Sequence, residues 1–277
     1  MVNGNKSVKN KFDPKREFRT PTVPFVDRNN PYPKGTKDLL SELGREKFLD
    51  WVKQEKRILL TDTTFRDSHQ SLLATRMRTM DMFNVSESFA RLNPELFSME
   101  VWGGATFDVC LRFLQEDPWE RLAIFRQKIP NTLLQMLLRG SNAVGYTAYP
   151  DNLVQKFIVK AWETGIDVFR VFDSLNWLEA MKVSIRTIVE QTEALAEACI
   201  CYTGDILDSS KDKYNLQYYL DLARQLEDEG AHMLAIKDMA GLLKPMAAEI
   251  LISELKKVID IPIHLHTHDT SGNQLTT

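Results

Sequence analysis

The chain has 277 residues, a formal net charge of −3, and 43% hydrophobic and 26% charged residues, the balance of an ordinary globular protein. That charge argues against a surface built for nucleic acid or an anionic membrane, which needs concentrated positive charge, and no apolar run reaches the roughly 18 residues of a bilayer span. Three cysteines, Cys110, Cys199 and Cys201, make no disulfide framework; Cys199 and Cys201 read as small residues of a buried strand, which fits a reducing, cytoplasmic compartment.

Met1 to Phe12 is basic, lacks acids and reads as a solvated tail. From Asp13 to Lys34 the chain carries Pro14, Pro21, Pro24, Pro31 and Pro33, which disfavour regular helix or central strand and predict an extended lead-in packed on a neighbour. Between Gly35 and Lys56, Leu39, Leu40, Leu43, Phe48 and Val52 are spaced for one helical face. Residues 1–56 are therefore a linker and a pre-barrel helix, and 57–277 the body that follows. In that body short apolar runs begin near Ile58, Phe97, Thr132, Asp167, Ala198, Met233 and Ile261, roughly 30–40 residues apart, the spacing of successive βα units. Helical segments such as Leu216 to Glu229 and Met246 to Val258 lie between them, and Gly165 and Gly230 close helices ahead of the next strand. Strand alternating with helix predicts an α/β fold with a parallel sheet, and seven repeats predict a TIM-type (β/α)₈ barrel, incomplete at its C-terminal side, with about seven βα units present. The competing doubly wound sheet lacks a Gly-x-Gly-x-x-Gly after its first strand.

In such barrels the chemistry sits where strands end. The first strand runs from Ile58 into Asp67 and on to Gln70, and Asp67 is either a hard oxygen ligand for a divalent metal or a salt-bridge or cap partner. The second contributes Glu100, then Trp102-Gly103-Gly104 and Asp108. The third brings Arg139 out of apolar residues at the mouth, where a guanidinium suits bidentate carboxylate recognition, with Tyr146 beyond it. In the fourth, Arg170 and Asp173 either brace each other or take part in catalysis. The sixth ends in Lys237, costly in an apolar strand unless paired or used. Its uses are a pair with Asp238, a Schiff base, or a carbamate that turns a cation into an anionic ligand. The seventh places His264, His266 and His268 on one face by alternation; His264 is the deeper, supporting histidine, and His266 and His268 are the better ligands.

Four segments, Leu59 to Gln70 (LLTDTTFRDSHQ), Met136 to Asp151 (MLLRGSNAVGYTAYPD), Ile236 to Gly241 (IKDMAG) and His264 to Gly272 (HLHTHDTSG), occur in the order found in the pyruvate carboxylase family, and the chain resembles the carboxyltransferase domain of that family. The resemblance implies a divalent metal, Mn²⁺ or Zn²⁺, held by Asp67, carbamylated Lys237, His266 and His268. It implies that Arg139 grips the pyruvate carboxylate, that Arg66 and Gln70 lie around the carbonyl and enolate oxygen, that Tyr146 lies near the biotin and pyruvate pocket, and that Asp108 lies on the same face. It further implies biotin on a carrier domain and ATP used by a biotin carboxylase domain, both outside this chain, a homotetramer for the whole enzyme, and oxaloacetate as product. A threonine that shuttles the proton is expected beyond Thr277, so the chain alone is expected to be inactive. Biotin-dependent oxaloacetate decarboxylases and transcarboxylases share the metal motifs, and Claisen-type metal aldolases and acyl transferases share the Arg-Asp and His-x-His pattern without the lysine.

Overall fold

The computed structural model describes residues 22–74, 76–210 and 212–277. The basic tail and the first half of the proline-rich stretch lie outside these residues; Thr22 to Lys34 contains neither helix nor strand. The elements then follow in order: α1 (Thr36–Gln54), β1 (Thr61–Asp62), a π-helical turn (Thr64–Ser68), α2 (His69–Leu73), α3 (Thr79–Leu92), β2 (Ser98–Gly103), α4 (Gly104–Val109), α5 (Pro118–Lys128), β3 (Leu133–Leu138), α6 (Asp151–Thr164), β4 (Val168–Val171), α7 (Leu178–Gln191), β5 (Leu195–Cys201), α8 (Leu216–Asp228), β6 (Met233–Asp238), α9 (Pro245–Leu255) and β7 (Ile263–Thr267). The seven strands pair in chain order and all in parallel, the arrangement expected of an incomplete (β/α) barrel. No helix among the described residues is long and apolar enough to cross a membrane.

Strand alternation divides the side chains into two sets. Leu134, Met136, Phe169, Val171, Ala196, Ala198, Ile200, Leu234 and Ile236 turn outward into one large core shared with the helices. The other set points into the curl of the sheet. At the strand starts it is apolar: Phe97, Leu133, Val168, Leu195 and Met233 pack with Leu40 and Phe48 of α1. The pre-barrel helix therefore seals the end of the barrel opposite to the strand ends. Above that seal the inward residues become polar: Ser98, Glu100, Gln135, Arg170, Glu197 and Lys237 are all buried. The register of β2 on β3 slips between Glu100 and Trp102; this bulge lets Trp102 join the outer core, where it stacks on Phe157 at 5.8 Å.

Two boundaries depart from the sequence reading. Helix α1 is not continuous: Gly44 adopts φ 72° and ψ 168°, so two helical pieces meet there at a kink. The first strand is also far shorter than the run from Ile58 to Asp67 predicts. Asp62 accepts hydrogen bonds from the Thr64 amide (3.0 Å) and hydroxyl (2.8 Å), and the Thr63 carbonyl accepts from the amides of Arg66 and Ser68. These local bonds pull the chain out of the extended state into a π-helical turn.

Candidate metal centre and its surroundings

The turn after β1 and the end of β7 meet across the curled sheet. Asp67 Oδ2 lies 3.3 Å from His266 Nε2 and 3.2 Å from His268 Nε2, and one donor atom from each of the three residues lies within 4.8 Å of the other two. Two imidazoles and a carboxylate form a donor set suited to zinc or manganese, and His266 Nε2 is buried with no hydrogen-bond partner, as a nitrogen kept for an ion would be. These residues fit a divalent metal.

Burial opposes ionisation of Asp67, yet the adjoining imidazoles of His266 and His268, with the charges of Arg66 and Lys237, hold its carboxyl well below the usual range. His266 is shifted down to about 4, chiefly by burial, so it stays neutral at physiological pH and keeps a lone pair for a metal. Lys237 stands beside His266 in the β6–β7 register and is only 3% exposed. Burial lowers its ammonium pKa, partly offset by Asp67 and Glu100. Its Nζ lies 5.7 Å from the Phe172 ring. It does not pair with Asp238, which instead accepts from the backbone amides of Leu242 and Leu243, both at 3.0 Å.

Arg66 is almost fully buried, its Nη1 3.2 Å from Asp67 Oδ1 and 2.9 Å from Gln70 Oε1, with Nη2 against Glu100 Oε1. The helical turn makes this possible, since residues four apart share a face. Gly103 and Gly104 thread between the two arginines. A Cβ at Gly103 would lie 3.4 Å from Arg66 Cδ, and one at Gly104 would stand 2.7 Å from the Arg139 guanidinium. Arg139 donates to the Gly145 carbonyl at 3.0 Å and lies 5.0 Å from the centre of the exposed Tyr146 ring. Asp108, on α4, pairs with Arg112 at 3.2 Å near the surface. The structure thus gathers Asp67, His266, His268, Lys237, Arg66 and Gln70, sets Arg139 and Tyr146 together beside Gly104, and leaves Asp108 tied to a surface arginine.

The suggested brace between Arg170 and Asp173 does not form. Asp173 accepts from the amides of Leu175 (2.9 Å) and Trp177 (3.0 Å) at the start of α7. Arg170 instead turns inward to Glu197, to Glu100 and to His264 and His266. Glu197 and Gln135 escaped the sequence reading. Glu197 stands among apolar residues in Leu195-Ala196-Glu197-Ala198, the same signal that singles out Lys237 and sufficient to have found it.

No protein-family model matches the chain. Among curated proteins it is 58% identical over 272 residues to the pyruvate carboxylase of Bacillus subtilis (98% of this chain, 23% of that protein). It is 54% identical over 253 residues to the mitochondrial pyruvate carboxylase of Homo sapiens (91% and 21%). The carboxyl transferase domain from Rhizobium etli pyruvate carboxylase, solved with pyruvate, superposes with a TM-score of 0.91 at 56% identity, covering 100% of this chain and 46% of that one. The same domain solved with oxamate and biotin matches equally, with a TM-score of 0.91. The chain spans about a quarter of the length of the curated relatives and under half of the solved domain. With more than half its residues identical along nearly its whole length, and the same fold, the chain belongs to the pyruvate carboxylase family and corresponds to part of its carboxyl transferase domain.

Proposed function

We propose that the chain carries the pyruvate-binding and metal-binding part of a biotin-dependent carboxyl transfer, in which the carboxyl group of carboxybiotin passes to pyruvate and gives oxaloacetate. The observation that carries this reading is the convergence of Asp67, His266 and His268 with a buried Lys237 and Arg66 at the strand ends. The relatives' structures with pyruvate and with oxamate and biotin support it.

Asp67, His266 and His268 would hold Mn²⁺ or Zn²⁺, with Lys237 as its carbamate. Charge favours that last ligand. A divalent cation on one carboxylate and two neutral imidazoles leaves an excess positive charge in a buried site that already contains Arg66, whereas a carbamate brings the cation and its ligands to neutrality. A lysine whose ammonium is disfavoured by burial offers its lone pair to carbon dioxide: the N–C bond forms, an N–H proton leaves to solvent, and the group becomes anionic. When bound, the metal supplies Lewis acidity for a ketone oxygen.

The chain's own residues do the rest. Arg139, whose fork stands beside Tyr146 with Nη1 on the Gly145 carbonyl, binds the pyruvate carboxylate with its remaining donors. Arg66 places a fixed positive charge, and Gln70 a hydrogen-bonding amide, where charge builds on the carbonyl oxygen as the methyl group loses its proton, and preorganised charge of this kind contributes several kcal/mol. Tyr146 lines the approach toward biotin, and Asp108, paired with Arg112, lies on the same face. Biotin on its carrier domain, an ATP-using biotin carboxylase domain and a homotetramer belong to the whole enzyme in this reading. A reducing, cytoplasmic setting accords with three cysteines that are all buried and unpaired.

The test is the metal content of the purified chain and of His266→Ala by plasma mass spectrometry. About one manganese or zinc per parent chain, lost in the variant, is the expected result. A folded parent without metal would overturn the reading.

A further inference from the structure

Two glycines stand where β2 gives way to α4, and each faces a different arginine. A Cβ on Gly103 would lie 3.4 Å from Arg66 Cδ, an ordinary contact. One on Gly104 would stand 2.7 Å from both Cζ and Nη1 of Arg139 and 2.9 Å from the Val144 carbonyl oxygen. Gly104 is buried, is the first residue of α4, and lies outside the positive-φ region that would by itself demand glycine. Its backbone would suit alanine, the better helix former; what the position lacks is space. The two arginines also differ in freedom. Arg66 is buried and pinned by Asp67, Gln70 and Glu100. Arg139 is half-buried, held at one nitrogen by the Gly145 carbonyl at 3.0 Å and flanked by the Tyr146 ring, whose centre is 5.0 Å away. A side chain on residue 104 would therefore move Arg139 and leave Arg66 in place. Heavy atoms in contact settle at about 3.5–4.0 Å, so the fork would withdraw by about 1 Å.

We propose that Gly104 is a specificity-determining residue, whose missing side chain seats Arg139 for a 2-oxo acid and against a 3-oxo acid. The inference rests on the assignment of Arg139 to the substrate carboxylate and of Arg66 to the carbonyl oxygen. In a 2-oxo acid the carboxylate carbon is bonded directly to the carbonyl carbon, so the two cations must converge on neighbouring atoms. A 3-oxo acid puts a methylene between them and carries the carboxylate farther from the carbonyl. A methyl group on residue 104 would displace the fork by a comparable amount. The fold makes little demand of its own here, because the clash falls on the far end of a flexible side chain, and the Val144 carbonyl needs only a small shift of its loop. The cost falls on recognition, since a guanidinium pairs well with a carboxylate only in a fixed geometry.

Calorimetry on the Mn²⁺-loaded chain compares oxamate, in which carbonyl and carboxylate are adjacent, with malonamate, which carries the same groups one methylene apart. The variants are Gly104→Ala, Gly103→Ala, Arg139→Gln, and Gly104→Ala combined with Arg139→Gln. The parent is expected to bind oxamate the more tightly. Gly104→Ala should raise the oxamate Kd about 10–100-fold, the loss of a hydrogen-bonding contact between charged groups, with malonamate affected less and Mn²⁺ affinity unchanged. Gly103→Ala should bind both ligands as the parent does. Arg139→Gln should weaken oxamate by itself, and adding Gly104→Ala to it should change the Kd by less than about twofold, because two changes that act through one contact do not add. A merely structural defect would weaken oxamate in both backgrounds. Parent-like oxamate binding by folded Gly104→Ala, equal losses for the two ligands, or an undiminished loss in the Arg139→Gln background would overturn the inference. If Gly104→Ala does not fold, the double variant decides: recovered folding there places the clash at Arg139 and upholds the inference, and failure there places it in the backbone and overturns it. A parent that binds Mn²⁺ but no oxamate, or an Arg139→Gln variant that binds oxamate as the parent does, would remove the substrate reading of Arg139, and this inference with it.

Discussion

At the scale of single residues, burial decides which groups titrate. His232 Nδ1 accepts the Ala196 amide at 2.9 Å, and burial, helped by the charge of Arg45, shifts its pKa down to about 4. A histidine depressed in the folded state binds its proton first in the unfolded chain. Its contribution is therefore complete above about pH 6.5, falls as pH drops toward 4, and is constant below that, with up to about 3 kcal/mol at stake. His232→Asn keeps an acceptor for the Ala196 amide and removes the titration. Urea unfolding at pH 7 and pH 4.5 should show the parent losing about 2 kcal/mol more than the variant over that interval; equal losses would refute the assignment. The legible residues are those whose signal is local: three histidines at alternate positions, or a lysine ending an apolar strand. Arg170 was half legible. Its charge inside β4 is visible in the sequence, but its partners depend on which residues of β5 and β7 lie opposite, and register is set by the assembled sheet.

Among the elements, α1 has the most to do with keeping the strand starts closed. Its N-terminus enters between the beginnings of β2 and β3: Lys37 donates its amide to the Asn131 carbonyl at 2.9 Å, and the Thr36 hydroxyl donates to Phe97 at 2.8 Å. Farther along, Arg45 caps the carbonyls of Val189, in the last turn of α7, and Thr192, just past its end, at 3.1 and 3.0 Å. The fit leaves no room at Gly35, where a Cβ would stand 2.3 Å from the Asn131 carbonyl oxygen. Gly35→Ala is expected to cost about 2 kcal/mol, since backbone must shift to admit the methyl. A lowered urea midpoint measures it, and an unchanged midpoint would mean that the clamp is loose. The helix itself was legible from its apolar spacing. Its kink at Gly44 was not, because a glycine within a helical pattern is compatible with both a straight and a broken helix. The first strand was misread for a related reason: Ile58 to Thr61 has strand-forming residues, and the short polar side chain of Asp62 ends it with two hydrogen bonds that periodicity cannot register.

For the molecule as a whole, alternation of strand and helix announced the architecture, and parallel pairing in chain order followed from it. The three clustered candidate metal ligands come from the first and the last strand segments, about two hundred residues apart along the chain. That separation has a consequence for how the protein folds. Bringing two such distant points together costs loop-closure entropy that only the finished sheet compensates. An ion held there cannot help early in folding, because its ligands are not yet neighbours. It can only bind the nearly complete molecule and oppose its opening. In stopped-flow experiments Mn²⁺ at 100 times its dissociation constant, worth about 2.7 kcal/mol, should slow unfolding by nearly the whole of that energy and leave the refolding rate almost unchanged; faster refolding would mean that the ends meet early. In that sense the ion would act as a clasp fastened last, giving the protein a long lifetime once folded without guiding the route by which it folds.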